Sequence, residues 1–200
     1  MHLKQIAVDA NLCARYNLGG TMTFGDAAEI EASGKKLSRR QSRRKAFELL
    51  FELAYRPGLK AAAILDRTFH DNDVRELYLV DEDDEGYVVG ELDPSAERFI
   101  SELVYAVVEH EQQLDAELAK YPHEWSYDRI GTTERLLLQL SLAEIVYLGT
   151  SYKVVINETL DMAKQYAQEE ARRFINGILG AVVKRLDELR AEVQNKEKQE

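Results

Sequence analysis

Four arginines on one short stretch are the residues of this chain that most clearly predict a chemistry. Their spacing of i, i+1, i+4 and i+5 would place them on one stripe of a helix: Arg39, Arg40, Arg43 and Arg44. Guanidinium groups present paired N–H donors that match phosphate oxygens, and each phosphate that they neutralise releases counterions. The stripe therefore favours binding of a phosphate-rich polyanion.

The positive charge is concentrated here in a chain that is otherwise acidic. Residues 35–45 contain seven Lys or Arg and no acid, whereas the whole chain has a formal net charge of -10, which leaves -17 for the rest. An acidic surface repels nucleic acid everywhere except near the stripe, so we expect local contact. Because no basic helix repeats base-reading residues, single-stranded RNA is favoured over the major groove of DNA. A structural alternative stays open, in which the stripe is a solvated face paired with acids elsewhere.

Helical periodicity places the stripe at the start of an amphipathic helix. Ser38 can cap this helix, and apolar residues recur at i, i+3, i+4 and i+7 until the breaker pair Pro57-Gly58: Ala46, Leu49, Leu50, Leu53 and Ala54. Its first turns are basic and its later turns are apolar. The pattern thus predicts a helix whose far end is packed in a core.

The remaining chain also shows mainly helical patterns. A short helix is predicted over 59–68, and a long one begins at Asp93-Pro94 and runs to Tyr121-Pro122. A run that is apolar on most sides predicts a buried central helix that ends at Gly149. Two more helices are predicted over 152–166 and 169–190, and Tyr87-Val-Val89 is the one brief strand signal. We therefore expect an all-α bundle.

Composition and segment properties predict one cytoplasmic domain with flexible ends. Apolar residues make up 45% of the 200 residues, which is enough for one good core. We divide the chain into a loosely ordered leader over 1–37, a helical domain over 38–190 and a frayed polar tail over 191–200. The single cysteine, Cys13, suits a reducing compartment, and no stretch has the length of a secretory or membrane segment.

Signatures of catalysis and metal binding are missing from the sequence. The positions three before His70, His110 and His123 are not Glu, so the Glu-x-x-His pair of di-iron bundles is missing. No phosphate-binding loop, nucleophile elbow or dinucleotide-binding glycine pattern occurs either. We expect no enzyme activity, no metal and no cofactor.

Two blocks of sequence give a resemblance to a known family. The run Ser38-Arg-Arg-Gln-Ser-Arg-Arg-Lys-Ala-Phe-Glu-Leu-Leu-Phe51 resembles the arginine-rich first helix of the NusB transcription antitermination family. The run Tyr152-Lys-Val-Val-Ile-Asn-Glu158, followed by Phe174-Ile-Asn-Gly177, resembles that family's most recognisable block. The resemblance covers residues 38–190 and implies a non-enzymatic, seven-helix bundle in two subdomains. It also implies binding to boxA RNA of nascent ribosomal RNA, together with the ribosomal protein NusE, other Nus factors and RNA polymerase.

The resemblance also implies which residues form the contacts. RNA contacts are expected in the first helix and around the turn between the last two predicted helices: Arg39, Arg40, Arg43, Tyr166, Arg172, Arg173 and Phe174. Three neighbouring cations are further candidates: Arg44, Lys45 and Lys164. Phe51 and Glu134 match positions that face NusE, although Phe51 fits a core position equally well. Asn157 and Asn176 are expected to be buried amides with a structural role.

Two other functions and one regulatory device were considered. A NusB-like bundle also occurs in RNA cytosine methyltransferases, but the chain has no glycine loop for a methyl donor and is shorter than such an enzyme. A NusB-like homodimer that does not bind boxA and pairs through the Phe51 face is the remaining alternative. The acidic segment 81–85 is complementary to the arginine stripe and would cover it in an autoinhibited state.

Overall fold

The computed structural model describes residues 36–70, 77–80, 87–90, 92–121 and 130–197. Eight helices lie within these ranges, so the all-α prediction is confirmed, with one helix more than the seven expected. They are α1 Arg39–Tyr55, α2 Ala61–His70, α3 Pro94–Glu109, α4 Glu111–Leu118, α5 Thr132–Val146, α6 Tyr152–Tyr166, α7 Glu169–Val183 and α8 Leu186–Glu197. Cys13, the acidic segment 81–85 and most of the predicted leader lie outside the described residues.

Local sequence determines how α1 begins. Ser38 is the N-cap, as predicted, and it forms a capping box with Gln41, in which the Ser38 hydroxyl accepts from the Gln41 amide and the Gln41 side chain accepts from the Ser38 amide. The helix ends at Tyr55, just before Pro57 and Gly58, where Gly58 has a φ of 91°. The arginines therefore lie in the first two turns of a well-capped helix.

The start of α3 anchors the segment that leads into α1. Asp93 caps α3 and accepts a hydrogen bond from the Ala96 amide at 2.8 Å, with Pro94 in the first turn, as predicted. Lys36 forms an ion pair with Asp93 at 3.3 Å, and Leu37 is buried against Ala96. The last two residues of the predicted leader are thus packed on α3.

Two predicted long helices are each divided in the structure. The first breaks at His110, which has non-helical backbone angles and stacks its ring on Tyr147, with centroids 4.0 Å apart and planes 3° apart. The second breaks at Lys184 and Arg185, where the Arg185 guanidinium reaches Glu117 of α4 at 3.1 Å. Both breaks coincide with contacts to other helices, which periodicity does not report. The helix after the second break continues beyond residue 190 to Glu197.

A small strand pair interrupts the helical chain between α2 and α3. Strands β1 Leu77–Val80 and β2 Tyr87–Gly90 pair antiparallel, with Leu77 opposite Gly90 and Val80 opposite Tyr87. The brief strand predicted at Tyr87 is therefore confirmed. Its partner strand was not predicted.

Helix α5 lies at the centre of the bundle. All ten residues from Leu136 to Ile145 are buried, which confirms the predicted central helix. This helix contacts α1, α3 and α4, which precede it in the chain, and α6, α7 and α8, which follow it. A hydrogen bond of 2.6 Å between Ser141 and Thr159 joins it to α6 inside the core. The two groups of helices therefore share one element, and α1 is positioned against it.

No helix in the described part of the chain has the length and apolar character that crossing a membrane requires.

Candidate nucleic-acid interface

Arg43 is the most deeply buried of the four arginines. Its guanidinium donates to both carboxylate oxygens of Glu144 on α5, from Nε and from Nη2, at 2.6 Å each. The Arg43 side chain is 2% exposed and that of Glu144 is 0% exposed. A bidentate pair of this kind is geometrically specific, and it is costly to break because either partner alone would be an uncompensated buried charge. Arg43 therefore joins α1 to the central helix.

The prediction of one exposed arginine stripe is consequently wrong. Arg44 is buried as well as Arg43, and the Lys45 side chain is only 15% exposed and pairs with Glu48 at 3.4 Å. The i, i+4 spacing correctly placed Arg39 beside Arg43, but at Arg43 that face of α1 packs against α3 and α5 instead of solvent. The side chains of Arg43 and Arg44 are both buried, so neither belongs to an exposed stripe.

Arg40 pairs with acids of α6. Its Nε donates to Glu158 at 3.0 Å and its Nη2 donates to Asp161 at 2.8 Å, while 40% of the side chain stays exposed. Lys164, one turn further along α6, also donates to Asp161, at 2.6 Å. The structural alternative, in which the arginines pair with acids elsewhere, is thus realised in part.

Asp161 lies at the centre of a cluster of cations from three helices. The hydrogen bond from Lys164 holds the pKa of the Asp161 carboxyl below its usual value against an opposing effect of burial, and the charges of Lys164, Arg40 and Arg172 add to that lowering. Arg172 lies on α7 and also donates to Glu169 at 3.2 Å. We call Arg40, Lys164 and Arg172, together with Asp161, the cation cluster. Arg40 precedes the other three members by more than a hundred residues in the chain.

Tyr166 ends α6 next to this cluster. Its ring packs on Phe47 of α1 with centroids 4.8 Å apart, and its hydroxyl is 3.4 Å from Glu48. Phe174 is half-buried and packs against the core, although an RNA contact was expected there. Arg173, the next residue, is 76% exposed at its side chain and reaches Glu169 only at 4.0 Å. The structure therefore brings together Arg40, Lys164, Tyr166 and the start of α7.

Arg39 occupies a different environment from Arg40. Its guanidinium lies over the Phe99 ring of α3, 4.2 Å from the ring centroid, which is cation–π geometry. Arg39 is exposed, and it forms no ion pair or hydrogen bond with the residues that the structure describes. It therefore keeps its charge available at the surface.

The two predicted partner-binding residues lie apart from the cation cluster. Phe51 is half-buried near the end of α1 and packs against the core, and its ring contacts that of the exposed Tyr55 in a tilted arrangement, with centroids 4.8 Å apart and planes 38° apart. Glu134 lies in the first turn of α5, where its carboxylate approaches Gly131 at the N-cap. A carboxylate in this position is favoured by the helix dipole. Glu134 thus has a local structural role at the start of α5.

The expectation that Asn157 and Asn176 are buried amides is wrong, because both are exposed. Three acids position the arginines although the sequence did not predict them: Glu144, Glu158 and Asp161. One signal could have found Glu144, since a carboxylate in an otherwise apolar helix requires a cation as partner. No comparable signal marks Glu158 or Asp161, which lie on a half-exposed helix.

Comparison with known proteins assigns the chain to a family. The family model described as the NusB family matches residues 40–184, which is more than half of the chain. The chain belongs to the NusB family. It is accordingly a non-enzymatic protein. The matched region begins at Arg40 and includes the whole cation cluster.

Relatives and solved structures support this assignment. The chain is 35% identical over 160 residues to the transcription antitermination protein NusB of Desulfovibrio desulfuricans, an alignment that covers 78% of this chain and 90% of the relative. It is 28% identical over 148 residues to NusB of Macrococcus caseolyticus, covering 74% and 98%. The structure of T. maritima NusB has the same fold, with a TM-score of 0.58 at 23% identity over 74% of this chain and 92% of that one. A crystal structure of antitermination factors NusB and NusE in complex with dsRNA has a TM-score of 0.55 at 26% identity, covering 73% and 96%.

Proposed function

We propose that this protein is an RNA-binding transcription antitermination factor that binds boxA RNA of nascent ribosomal RNA together with the ribosomal protein NusE. It then joins other Nus factors on RNA polymerase, in the cytoplasm. The observation that carries the proposal is the convergence of Arg40, Lys164 and Arg172 around Asp161, next to Tyr166. The family assignment supports the same function.

The cation cluster suits a phosphate backbone. Lys164 and Arg172 are 54% and 36% exposed at their side chains, and Arg40 is 40% exposed, so each can reach a ligand without unfolding. Asp161 holds the cations in place, and a phosphate that approaches them gains charge-assisted hydrogen bonds. Arg173, at 76% exposure, extends the positive surface along α7. Because the rest of the chain is acidic, phosphate contacts are restricted to this region.

Tyr166 supplies an aromatic surface beside these cations. It is half-buried, with one part of the ring against Phe47, so it is rigidly held. An aromatic ring that stacks on a base of single-stranded RNA contributes about 1–3 kcal/mol, whatever the base. Phosphate contacts and base stacking together are typical of single-strand binding.

The opposite end of α1 suits a protein partner. Tyr55 is 62% exposed and its ring contacts the half-buried Phe51, which leaves an aromatic pair at the surface of the described region. Aromatic residues are enriched in the cores of protein interfaces. One solved structure similar to this chain contains NusB and NusE in complex with dsRNA, which favours NusE as the partner. We therefore place the NusE contact at Phe51, with Glu134 as a second candidate residue.

Fluorescence anisotropy of a short boxA-like RNA tests the proposal. The RNA is titrated with the protein at several salt concentrations, with and without the ribosomal-protein partner. We expect tighter binding with the partner and a slope of log K against log salt of about -0.7 for each phosphate contacted. Arg40→Ala and Lys164→Ala should each reduce the steepness of this slope by roughly 0.7.

Lys60→Ala is the matched control. Lys60 is exposed and lies beyond the C-terminal end of α1, whereas Arg40 lies in the first turn of that helix. Its replacement removes the same charge. Its slope should equal that of the unmodified protein. Equal slopes for Arg40→Ala and the unmodified protein would contradict RNA binding at the cation cluster. Sedimentation distinguishes the homodimer alternative, since a free homodimer that does not bind boxA with partner would contradict the proposed function.

A further inference from the structure

A cavity of about 540 Å³ lies between the start of α1, the middle of α3, and the connection from α5 to α6 with the first turn of α6. This volume is within the range of roughly 300–1,000 Å³ that small-molecule sites occupy. The buried pair Arg43–Glu144 forms part of its lining, and these two side chains neutralise each other. The chemistry that the cavity offers a ligand therefore depends on its other residues.

Two exposed charged side chains of opposite sign line the cavity without pairing. Arg39 of α1 and Glu102 of α3 both lie in the lining and both are exposed. Neither forms an ion pair or hydrogen bond with any residue in the described ranges. Phe99 lies one turn before Glu102 on α3, and the Arg39 guanidinium covers its ring at 4.2 Å. The cavity thus combines a planar cation, a free carboxylate and an aromatic ring.

This combination selects among ligand chemistries. A phosphate or carboxylate would be attracted to Arg39 but repelled by Glu102. An ammonium group would be attracted to Glu102 but repelled by Arg39. A neutral planar group that carries N–H donors suits both side chains, because its face can stack on the guanidinium while its donors bond the carboxylate. Val154, which is 50% exposed, adds an apolar wall. These are the requirements of a nucleobase.

We propose that this cavity receives one unstacked guanine base of the single-stranded RNA, with Arg39 stacked on its face and Glu102 as acceptor. Guanine presents two adjacent donors on its Watson–Crick edge, N1–H and the N2 amino group, and these match the two oxygens of one carboxylate. Arg39 immediately precedes Arg40, so a phosphate held at the cation cluster would be close enough for its neighbouring base to turn into the cavity. The inference rests on the RNA-binding function proposed above and adds base preference to it.

Replacement of guanine by inosine tests the inference, because inosine lacks the N2 amino group but keeps the N1–H and the stacking surface. Affinities are measured by anisotropy for an oligouridine with one central guanine and for the same strand with inosine. We expect the guanine strand to bind about tenfold more tightly, the factor that the loss of one hydrogen bond to a charged group produces. Glu102→Gln should bring this ratio close to one while the salt slope stays unchanged.

Two further variants complete the design. Glu109→Gln is the matched control, since Glu109 is exposed on the same helix but lies outside the cavity lining, and it should keep the guanine preference. Arg39→Lys keeps the charge and removes the planar group, so it should weaken the guanine strand while preserving the salt slope. A preference that persists in Glu102→Gln, or none in the unmodified protein, would overturn the inference. Salt-dependent binding that needs Arg40 but ignores guanine overturns this inference alone, whereas failure to bind the boxA-like RNA with the partner overturns the proposed function too.

Discussion

Removal of the Arg43 side chain should act mainly on the free energy of unfolding and not on RNA contacts. Among the described residues, Arg43 is the counter-ion of Glu144, and the Glu144 side chain is 0% exposed. Arg43→Ala would therefore leave a carboxylate buried without a counter-ion. The loss of one partner of a buried pair costs about 3–5 kcal/mol, which is a large share of the roughly 5–15 kcal/mol that stabilises a typical domain.

Urea denaturation followed by circular dichroism measures this cost. In thermal denaturation of a chain of this size each kcal/mol lowers the melting temperature by about 2–4 °C, so we also expect a fall in Tm of roughly 6–20 °C. Arg40→Ala is the comparison, because Arg40 is 40% exposed and its partners Glu158 and Asp161 keep 16% and 24% of their side chains exposed, unlike Glu144. Its removal should cost only about 0–1 kcal/mol.

A double variant tests whether the burial of charge is the cause. In Arg43→Met with Glu144→Leu, no charge stays buried at this position, so most of the stability should return. RNA binding is then measured for the double variant well below its melting temperature. A cost below about 1 kcal/mol for Arg43→Ala would refute the argument from burial. An equally large loss in the double variant would show that the pair itself stabilises the bundle.

Four other substitutions test the remaining electrostatic and backbone arguments. The hydrogen bond from Lys164 lowers the pKa of Asp161. The ionised Asp161 therefore stabilises the fold at pH values above its ordinary pKa, and this stabilisation is lost as pH falls through the lowered pKa. Asp161→Asn should accordingly make the free energy of unfolding depend less on pH in the acid range. Burial and the Glu117 carboxylate raise the pKa of Tyr121 to about 12. Tyrosine contributes its stability below its ordinary pKa of about 10 and loses it as pH rises towards the raised value; Glu117→Gln should lower that pKa in an ultraviolet titration. Gly149 has a φ of 70°, so Gly149→Ala should cost about 1 kcal/mol in urea denaturation, whereas Gly177→Ala, in open space on α7, should stabilise by a similar amount.

The features that the sequence determined by itself are those that depend on neighbouring residues. Ser38 and Asp93 cap their helices through hydrogen bonds to amides three residues away, and Gly149, which follows the end of α5 by three residues, has the positive φ that glycine favours. The run from Leu136 to Ile145 predicted a buried helix because it has no polar face to turn towards water. Such short-range constraints are the same in any tertiary context.

Only the tertiary structure decided which arginines are available to a ligand. Helical spacing states that Arg39 and Arg43 share a face, but it does not state what packs against that face. Arg43 is buried because Glu144 lies opposite it, 101 residues further along the chain, and Arg40 meets Glu158 from a separation of 118 residues. The helix breaks at His110 and Arg185 depend in the same way on Tyr147 and Glu117. A charged side chain is stable in a core only where a distant partner compensates it, and that partner is known only once the helices are packed.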